Sequence, residues 1–256
     1  MSEPFCLMGD TTPGGILIEA DHASARVPDD IDLGIDPALL RDHVAIDIGV
    51  AAIAELLVQR CGFAAFMGNV SRLVCDFNRD EHGPAVAPIA SDGHAIPGNA
   101  LDHAGHEARL ARFYRPYHAA LADLIDRMQP SLILSLHSFT PQLASRPDEA
   151  RPWHIGILYN RDRRGAALAL DHLRQDPALV VGDQQPYSGE LLNATMDRHA
   201  EARGLPYVGV EIRQDLIGHA GGQAEWAERM ERLTRAVQKA LTRDAQIGLS
   251  TRAAPG

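Results

Sequence analysis

Two histidines and a glutamate, residue types that suit metal and acid–base chemistry, each lie at the end of a short apolar run. His22 follows GILIEAD, His137 ends SLILSLH, and Glu211 follows YVGV. If these runs are parallel strands, their carboxyl ends meet at one edge of a sheet, which brings the three side chains together. Imidazoles and carboxylates are the usual ligands of catalytic zinc, which takes three protein ligands and leaves a fourth position for water. The pattern therefore predicts one zinc ion per chain, with His22 and His137 as two of its ligands.

The third zinc ligand is open at this stage. Asp47 is the favoured candidate because it lies in HVAIDIGVA, at the start of an apolar helix that is otherwise poor in charge. A carboxylate at this point equally suits the positive end of a helix dipole. The alternative ligands are Glu19, Asp21, His43 and His118.

Glu211 is the predicted general base. It emerges from a buried strand, where loss of water should raise its pKa toward the range in which a carboxylate accepts a proton at neutral pH. A simple ion pair with Arg213, two residues further along the same strand, is the alternative.

The segment SRLVCDFNR places several polar side chains around a short apolar core. Arg72 and Arg79 could each make a charge-assisted fork to a substrate carboxylate. Either arginine could instead form a salt bridge with Asp76 and hold the loop in place.

The elements that must position these residues follow from hydrophobic periodicity. Short apolar runs predict strands at 15–21, 63–70, 131–137, 154–160 and 207–213. Helical periodicity lies between them, at about 37–60, 101–128, 162–175, 189–203 and 222–242, with Ser188 as the N-cap of the fourth helix. This alternation predicts a single-domain α/β fold, with a mostly parallel, mixed central sheet flanked by helices. We expect the domain to cover residues 1–242 and residues 243–256 to form a flexible tail.

Composition narrows the choice of partners. The net charge is -10 and Lys239 is the only lysine, which argues against a nucleic-acid partner because phosphate binding needs a basic surface. No apolar stretch is long enough to cross a membrane. The three cysteines form no paired motif, and the N-terminus has no secretory pattern, so we expect a cytoplasmic protein with a small-molecule substrate. The sequence does not set the oligomeric state.

Six segments, in their order and spacing, resemble the N-formylglutamate amidohydrolase family, whose fold is zinc-carboxypeptidase-like. They are DHASARVP (21–28), AIDIGV (45–50), SRLVCDFNR (71–79), FYRPYHAAL (113–121), LSLHSFTP (134–141) and VGVEIRQDLI (208–217). The sequence departs from the first motif of the better-known members, which is of the Pro-His-Ser-Gly type, because here Asp21 precedes His22 and Ala23 follows it.

The resemblance implies a function and a role for each residue of the site. LSLHSF looks like the strand-end zinc histidine of the wider carboxypeptidase-like group, VEIR like its catalytic glutamate, and FNR like its carboxylate-binding pair. His137 would then hold zinc, Glu211 would act as base, and Asn78 with Arg79 would grip the substrate. We further expect Arg72 to stabilise the oxyanion and Arg213 to help bind carboxylates.

The implied reaction is the zinc-dependent hydrolysis of N-formyl-L-glutamate to glutamate and formate. A deacylase of another N-acyl amino acid or amide would carry the same residues. A family member that binds a metabolite without turning it over is the alternative outside the enzyme class.

Overall fold

The computed structural model describes the backbone of residues 3–252 and the side chains of residues 3–244 and 246. The chain contains nine strands and six α-helices within the described residues. In order they are β1 (Phe5–Met8), β2 (Ile16–Ala20), α1 (Val50–Cys61), β3 (Ala64–Gly68), β4 (Ala90–Ser91), β5 (His94–Ala95), α2 (His103–Arg109), α3 (Arg115–Met128), β6 (Leu132–Phe139), β7 (Ile155–Leu158), α4 (Arg164–Leu173), β8 (Val181–Asp183), α5 (Ala194–His199), β9 (Tyr207–Arg213) and α6 (Ala220–Arg252).

Seven strands form one sheet in the order β1-β3-β2-β6-β9-β7-β8, and β4 and β5 form a separate small hairpin. Strands β3, β2, β6 and β9 are parallel, whereas β1 and β7 each run antiparallel to their inner neighbour. The predicted class, an α/β fold with a mostly parallel, mixed sheet flanked by helices, is confirmed. The edge strands β1 and β8 were not predicted, since β1 has only four residues, FCLM, and β8 has only three, VGD.

Both faces of the sheet are covered, which is why its inner strands are mostly apolar on both faces. Within β2, Ile16 and Ile18 point to the face that packs against α1, α4 and α6. Leu17 points to the other face, which packs against α3, α5 and the long segment 69–100. We call these the first and second faces. None of the helices in the described part of the chain is long and apolar enough to span a membrane.

The helix predicted for residues 37–60 is interrupted. A short 3-10 helix covers Pro37–Arg41, and α1 begins only at Val50. Gly49, just before it, has a φ of 84°, in the left-handed region, and a Cβ at this position would lie 2.3 Å from the carbonyl oxygen of Ile217. Asp47 therefore lies in a loop rather than inside the helix.

Two further helix boundaries differ from the prediction. Residues 184–193 form turns, in which the carbonyl of Ser188 accepts hydrogen bonds from the amides of Leu191 and Leu192, so α5 begins at Ala194. At the C-terminus, α6 continues through Arg252, past the expected domain end at residue 242. No proline interrupts the sequence of this segment before Pro255. Residues 253–256 lie outside the described part of the chain, and the flexibility of the tail stays a prediction.

Candidate active site

The site lies on the second face, at the carboxyl ends of the parallel strands. His137 on β6 pairs in register with Glu211 on β9, so their side chains are neighbours on the same face. His22 lies two residues after the end of β2, and the backbone amide of Asp47 donates to the carbonyl oxygen of His22 at 3.0 Å. His137 and Glu211 therefore lie on strands, and His22 lies just after one. Asp47 lies in a loop that its backbone contact with His22 holds in place.

His22, Asp47 and His137 form a compact group of possible metal ligands. One ligand atom from each lies within 4.8 Å of the others. The Nδ1 atoms of His22 and His137 lie 3.3 Å and 3.0 Å from the same carboxylate oxygen, Oδ2 of Asp47. All three residues are buried, with 3% to 6% of their surface exposed. The structure brings together the two histidines and the favoured third ligand of the sequence analysis.

Asp76 decides which nitrogen of His22 can bind a cation. Its Oδ1 lies 2.8 Å from Nε2 of His22, and since a carboxylate only accepts, the ring hydrogen belongs on Nε2. When a cation displaces the second ring proton, it is therefore the Nδ1 lone pair that faces Asp47. Two imidazole nitrogens and a carboxylate oxygen that converge in this way match the donor set of a catalytic zinc site, in which a carboxylate commonly backs a ligand histidine.

Arg72 links the two carboxylates of the site. Its guanidinium donates to Oδ1 of Asp47 at 3.2 Å and to Oδ2 of Asp76 at 3.0 Å. The Nε of Arg79 lies 3.6 Å from the same Asp76 oxygen. The salt bridges that the sequence analysis kept as an alternative are therefore present. The Arg72 side chain nevertheless remains 23% exposed and lines the cavity in front of the group.

The carboxylates make both histidines hold protons strongly when no cation is bound. Burial lowers the pKa of His137, but Asp47, Glu211 and Glu19 outweigh it and raise the pKa to about 10. Burial and Arg72 lower the pKa of His22, yet the charges of Asp76 and Asp47 leave it raised. Burial also opposes ionisation of Asp47, but its histidine partners hold the pKa of that carboxyl well below its usual range.

Glu211 has the properties of a general base. It is 8% exposed, and its Oε2 has no hydrogen-bond partner among the described residues. Burial raises its pKa to about 7, although the positive charge of His137 opposes the shift. The expected alternative, an ion pair with Arg213, does not form, because Asp215 holds the Arg213 guanidinium at 2.8 Å.

A cavity of about 220 Å³ opens in front of this group. Asn78 and Arg79, the pair predicted to bind a substrate carboxylate, are among the residues that line it. The Oδ1 of Asn78 accepts from the amide of Thr195 at 3.1 Å, so its amide nitrogen is the group that it can offer to a ligand. Arg213 is not among the cavity-lining residues. The short turn that carries Asp215 directs it away, and its predicted role in substrate binding has no support from its position.

Tyr187 lines the cavity and was not predicted from the sequence. Burial raises the pKa of the Tyr187 hydroxyl, and the negative charge of Glu211 raises it further. The buried Arg151 donates to the Tyr187 hydroxyl at 3.0 Å. Gly156, the neighbour of Glu211 on β7, allows this approach, since a Cβ there would lie 2.0 Å from the Gln185 carbonyl oxygen. The signal available in the sequence was a tyrosine in a turn-rich loop, which is too common to interpret.

A second missed feature is the clamp that shapes the outer cavity wall. The buried Asp92 carboxylate accepts from the amides of Ala144 and Ser145 and from the Ser145 hydroxyl. It thereby ties the β4–β5 hairpin to the loop 140–150. Arg146 follows the clamp directly and lines the cavity with a guanidinium side chain that is 64% exposed.

The remaining candidate ligands lie outside the group of His22, Asp47 and His137. His43 lines the cavity but pairs with Asp42 and Asp92. His118 lies in the core, where its ring nitrogens bond to His199 at 2.9 Å and to the carbonyl of Phe77 at 3.1 Å. Glu19 and Asp21 form a second buried group with His137.

Comparisons with known proteins agree with the motifs. A model of the N-formylglutamate amidohydrolase family matches residues 14–218. The solved structure of a gene product from Agrobacterium tumefaciens is 32% identical, with a TM-score of 0.87 over 94% of this chain and 97% of that one. An N-formylglutamate amidohydrolase from Ralstonia eutropha is 21% identical, with a TM-score of 0.71 over 95% of this chain and 100% of that one, and shares the fold. No curated protein matches the chain.

Proposed function

The chain belongs to the N-formylglutamate amidohydrolase family, as its motifs predicted, and on this premise we propose that it is a zinc-dependent hydrolase of a small N-acyl amino acid. The proposed substrate is N-formyl-L-glutamate, and the products are formate and glutamate. The observation that carries the proposal is the convergence of the two histidine Nδ1 atoms on one Asp47 oxygen, beside a buried glutamate whose Oε2 has no partner among the described residues.

His22, Asp47 and His137 would hold one zinc ion per chain. When bound, zinc supplies Lewis acidity, which makes water acidic enough to react at neutral pH and polarises an acyl oxygen. Asp76 keeps the Nδ1 lone pair of His22 available, and Arg72 holds Asp47 and Asp76 in a fixed relation. The chain's own residues therefore prepare the site before any ligand arrives.

Glu211 moves the proton. Its carboxylate takes a proton from the attacking water, whose oxygen forms a bond to the acyl carbon. As the carbon–nitrogen bond breaks, Glu211 returns that proton to the leaving amine nitrogen. A base with a pKa near the working pH suits both transfers, and burial of Glu211 supplies that pKa.

Asn78 and Arg79 hold the substrate's carboxylate through the amide and guanidinium groups that face the cavity. The Tyr187 hydroxyl, which accepts from Arg151, keeps its own hydrogen free to donate to the acyl group. The remaining guanidinium edge of Arg72 adds positive charge where the oxyanion develops.

The test combines zinc analysis of dialysed protein with formate release from N-formyl-L-glutamate. We expect wild type to retain one zinc per chain and to release formate, His137→Ala to lose both, and Glu211→Gln to keep zinc without turnover. Replacement of the exposed His94 by alanine is the control for adventitious binding. Wild-type protein without zinc would overturn the metal assignment. Zinc without formate release would overturn the substrate and direct the assay to other N-acyl amino acids.

A further inference from the structure

Glu19 is a fully buried carboxyl group that the proposed reaction does not use. It lies on β2, is 0% exposed and has no contact with the cavity. Its two oxygens accept hydrogen bonds from the hydroxyl of Tyr117 at 3.0 Å and from the hydroxyl of Ser135 at 2.9 Å. Burial of a carboxyl group in the core costs free energy of folding unless such hydrogen bonds compensate. A carboxyl group that is retained next to the metal site despite this cost is therefore a candidate for a functional role.

Ser135 connects Glu19 to His137. Its Oγ lies 3.2 Å from Nε2 of His137, two residues further along the same face of β6. A serine has one hydroxyl hydrogen, and when that hydrogen goes to Glu19 the oxygen can only accept from the histidine ring. His137 then carries its hydrogen on Nε2. When a cation displaces the second ring proton, the lone pair that becomes available is that of Nδ1, 3.0 Å from Oδ2 of Asp47.

Asp21 completes the network without reversing it. Its Oδ1 accepts from the hydroxyl of Thr195 at 2.9 Å, whereas its Oδ2 has no donor among the described residues. Oδ2 lies 4.0 Å from Nε2 of His137, too far for a hydrogen bond, so it does not compete with Ser135 for the ring hydrogen. Glu19 remains an acceptor toward Ser135, so the bond from Ser135 keeps its direction.

We propose that Glu19 is a positioning residue of the metal site, which acts through Ser135 to fix the His137 ring with its Nδ1 toward the cation. Asp76 orients the ring of His22 by a direct hydrogen bond, whereas Glu19 orients the ring of His137 through the hydroxyl of Ser135. This inference rests on the proposed metal site. Removal of outer partners of ligand histidines typically weakens metal binding by about 10- to 100-fold, which sets the size of the expected effect.

The experiment measures zinc affinity by competition with a chelator in wild type, Ser135→Ala and Glu19→Gln. Both changes nearly preserve side-chain volume, and thermal melts check the fold. Ser131→Ala is the matched control, because it removes a hydroxyl from the residue that precedes the same strand at its opposite end. The visible spectrum of the Co²⁺-loaded proteins reports the ligand geometry independently of activity.

We expect Ser135→Ala and Glu19→Gln to weaken zinc binding by about 10- to 100-fold, to alter the Co²⁺ spectrum, and to leave KM unchanged at saturating zinc. Ser135→Thr, which keeps the hydroxyl, should restore the affinity, and Ser131→Ala should equal wild type. Wild-type affinity and spectrum in Ser135→Ala would overturn this inference and leave the proposed function intact. If wild type itself retains no zinc, the proposed function fails, and the inference fails with it.

Discussion

The buried pair His118 and His199 should make the unfolding free energy depend on pH in a way that one substitution can isolate. The two rings stack with centroids 5.1 Å apart, and Nε2 of His199 donates to Nδ1 of His118 at 2.9 Å. The Nδ1 of His199 has no partner among the described residues. Burial, with smaller effects from Arg203 and Arg198, lowers the pKa of His199 to about 3. Folding therefore requires this ring to stay neutral.

The sign and size follow from proton linkage. An imidazole in the unfolded chain has a pKa of about 6.5, so between about pH 3 and 6.5 the unfolded state binds more protons at His199 than the folded state does. Stability is therefore lost as the pH falls through 6.5. From pH 7 to pH 5 the loss is about 2 kcal/mol for this one ring. Glu211 acts in the opposite direction, because its pKa is raised to about 7, so the comparison must be between variants rather than with an absolute slope.

We expect His199→Phe, which keeps an aromatic ring beside His118, to lose about 2 kcal/mol less than wild type between pH 7 and pH 5. Urea unfolding followed by circular dichroism, in chelator-treated protein and at several pH values, measures the difference. His94→Gln, a change of an exposed histidine, is the control. An identical pH dependence in His199→Phe and wild type would refute the argument that this ring is held neutral by burial.

Three kinetic predictions follow from the site. Glu211→Gln should lower kcat by roughly 10²- to 10⁴-fold with zinc retained. In wild type, kcat/KM should fall as the pH drops below about 7, because Glu211 must be unprotonated to accept a proton. A wild-type profile that is flat across this range would contradict the role of Glu211. Arg79→Lys should raise KM by roughly 10- to 100-fold, because a charged hydrogen bond to the substrate is lost. Arg213→Lys should leave KM unchanged, because Asp215 holds Arg213 outside the cavity. Equal effects of the two changes on KM would contradict the assignment of Arg79, and not Arg213, to substrate binding. Arg146→Ala should raise KM for N-formyl-L-glutamate more than for N-formyl-L-alanine, because only the former has a second carboxylate, and a uniform change would show that Arg146 does not read it.

The sequence could predict the central sheet and the residues at its strand ends because both follow from local patterns. The runs that became β2, β6 and β9 are mostly apolar on both faces, and a polar residue that ends such a run is expected at the carboxyl edge of the sheet. His137 and Glu211 are neighbours for that reason alone. The family motifs added Asn78 and Arg79, whose place in the cavity depends on a loop with no periodicity of its own.

What the sequence could not predict depends on contacts between distant segments. Tyr187 reaches the cavity because Gly156 leaves space for its loop, and no local pattern connects these positions. The direction of Arg213 is decided by Asp215 within a short turn, although strand alternation alone would place Arg213 on the same face as Glu211. Glu19 was one of several possible metal ligands in the sequence. Its proposed role in orienting His137 depends on the hydrogen bonds with Ser135 and Tyr117, which only the structure reveals.

Charge balance gives a physical reason why the proposed metal site would favour a dication. Burial disfavours ionisation of Asp76, but the charges of His22 and Arg72 hold its pKa well below the usual range, and Asp47 is ionised for a similar reason. Together with Glu211 in its basic form, these carboxylates carry three negative charges, against one positive charge each from Arg72 and Arg79, which both contact Asp76. Without a metal, the remaining negative charge favours an extra proton on each histidine, which agrees with the raised pKa values of His22 and His137. A zinc ion would replace those two protons, so zinc and protons compete for the same nitrogen atoms and affinity should rise steeply with pH. The carboxylates that would favour cation binding at this site are therefore the same groups that keep its histidines protonated when no cation is bound.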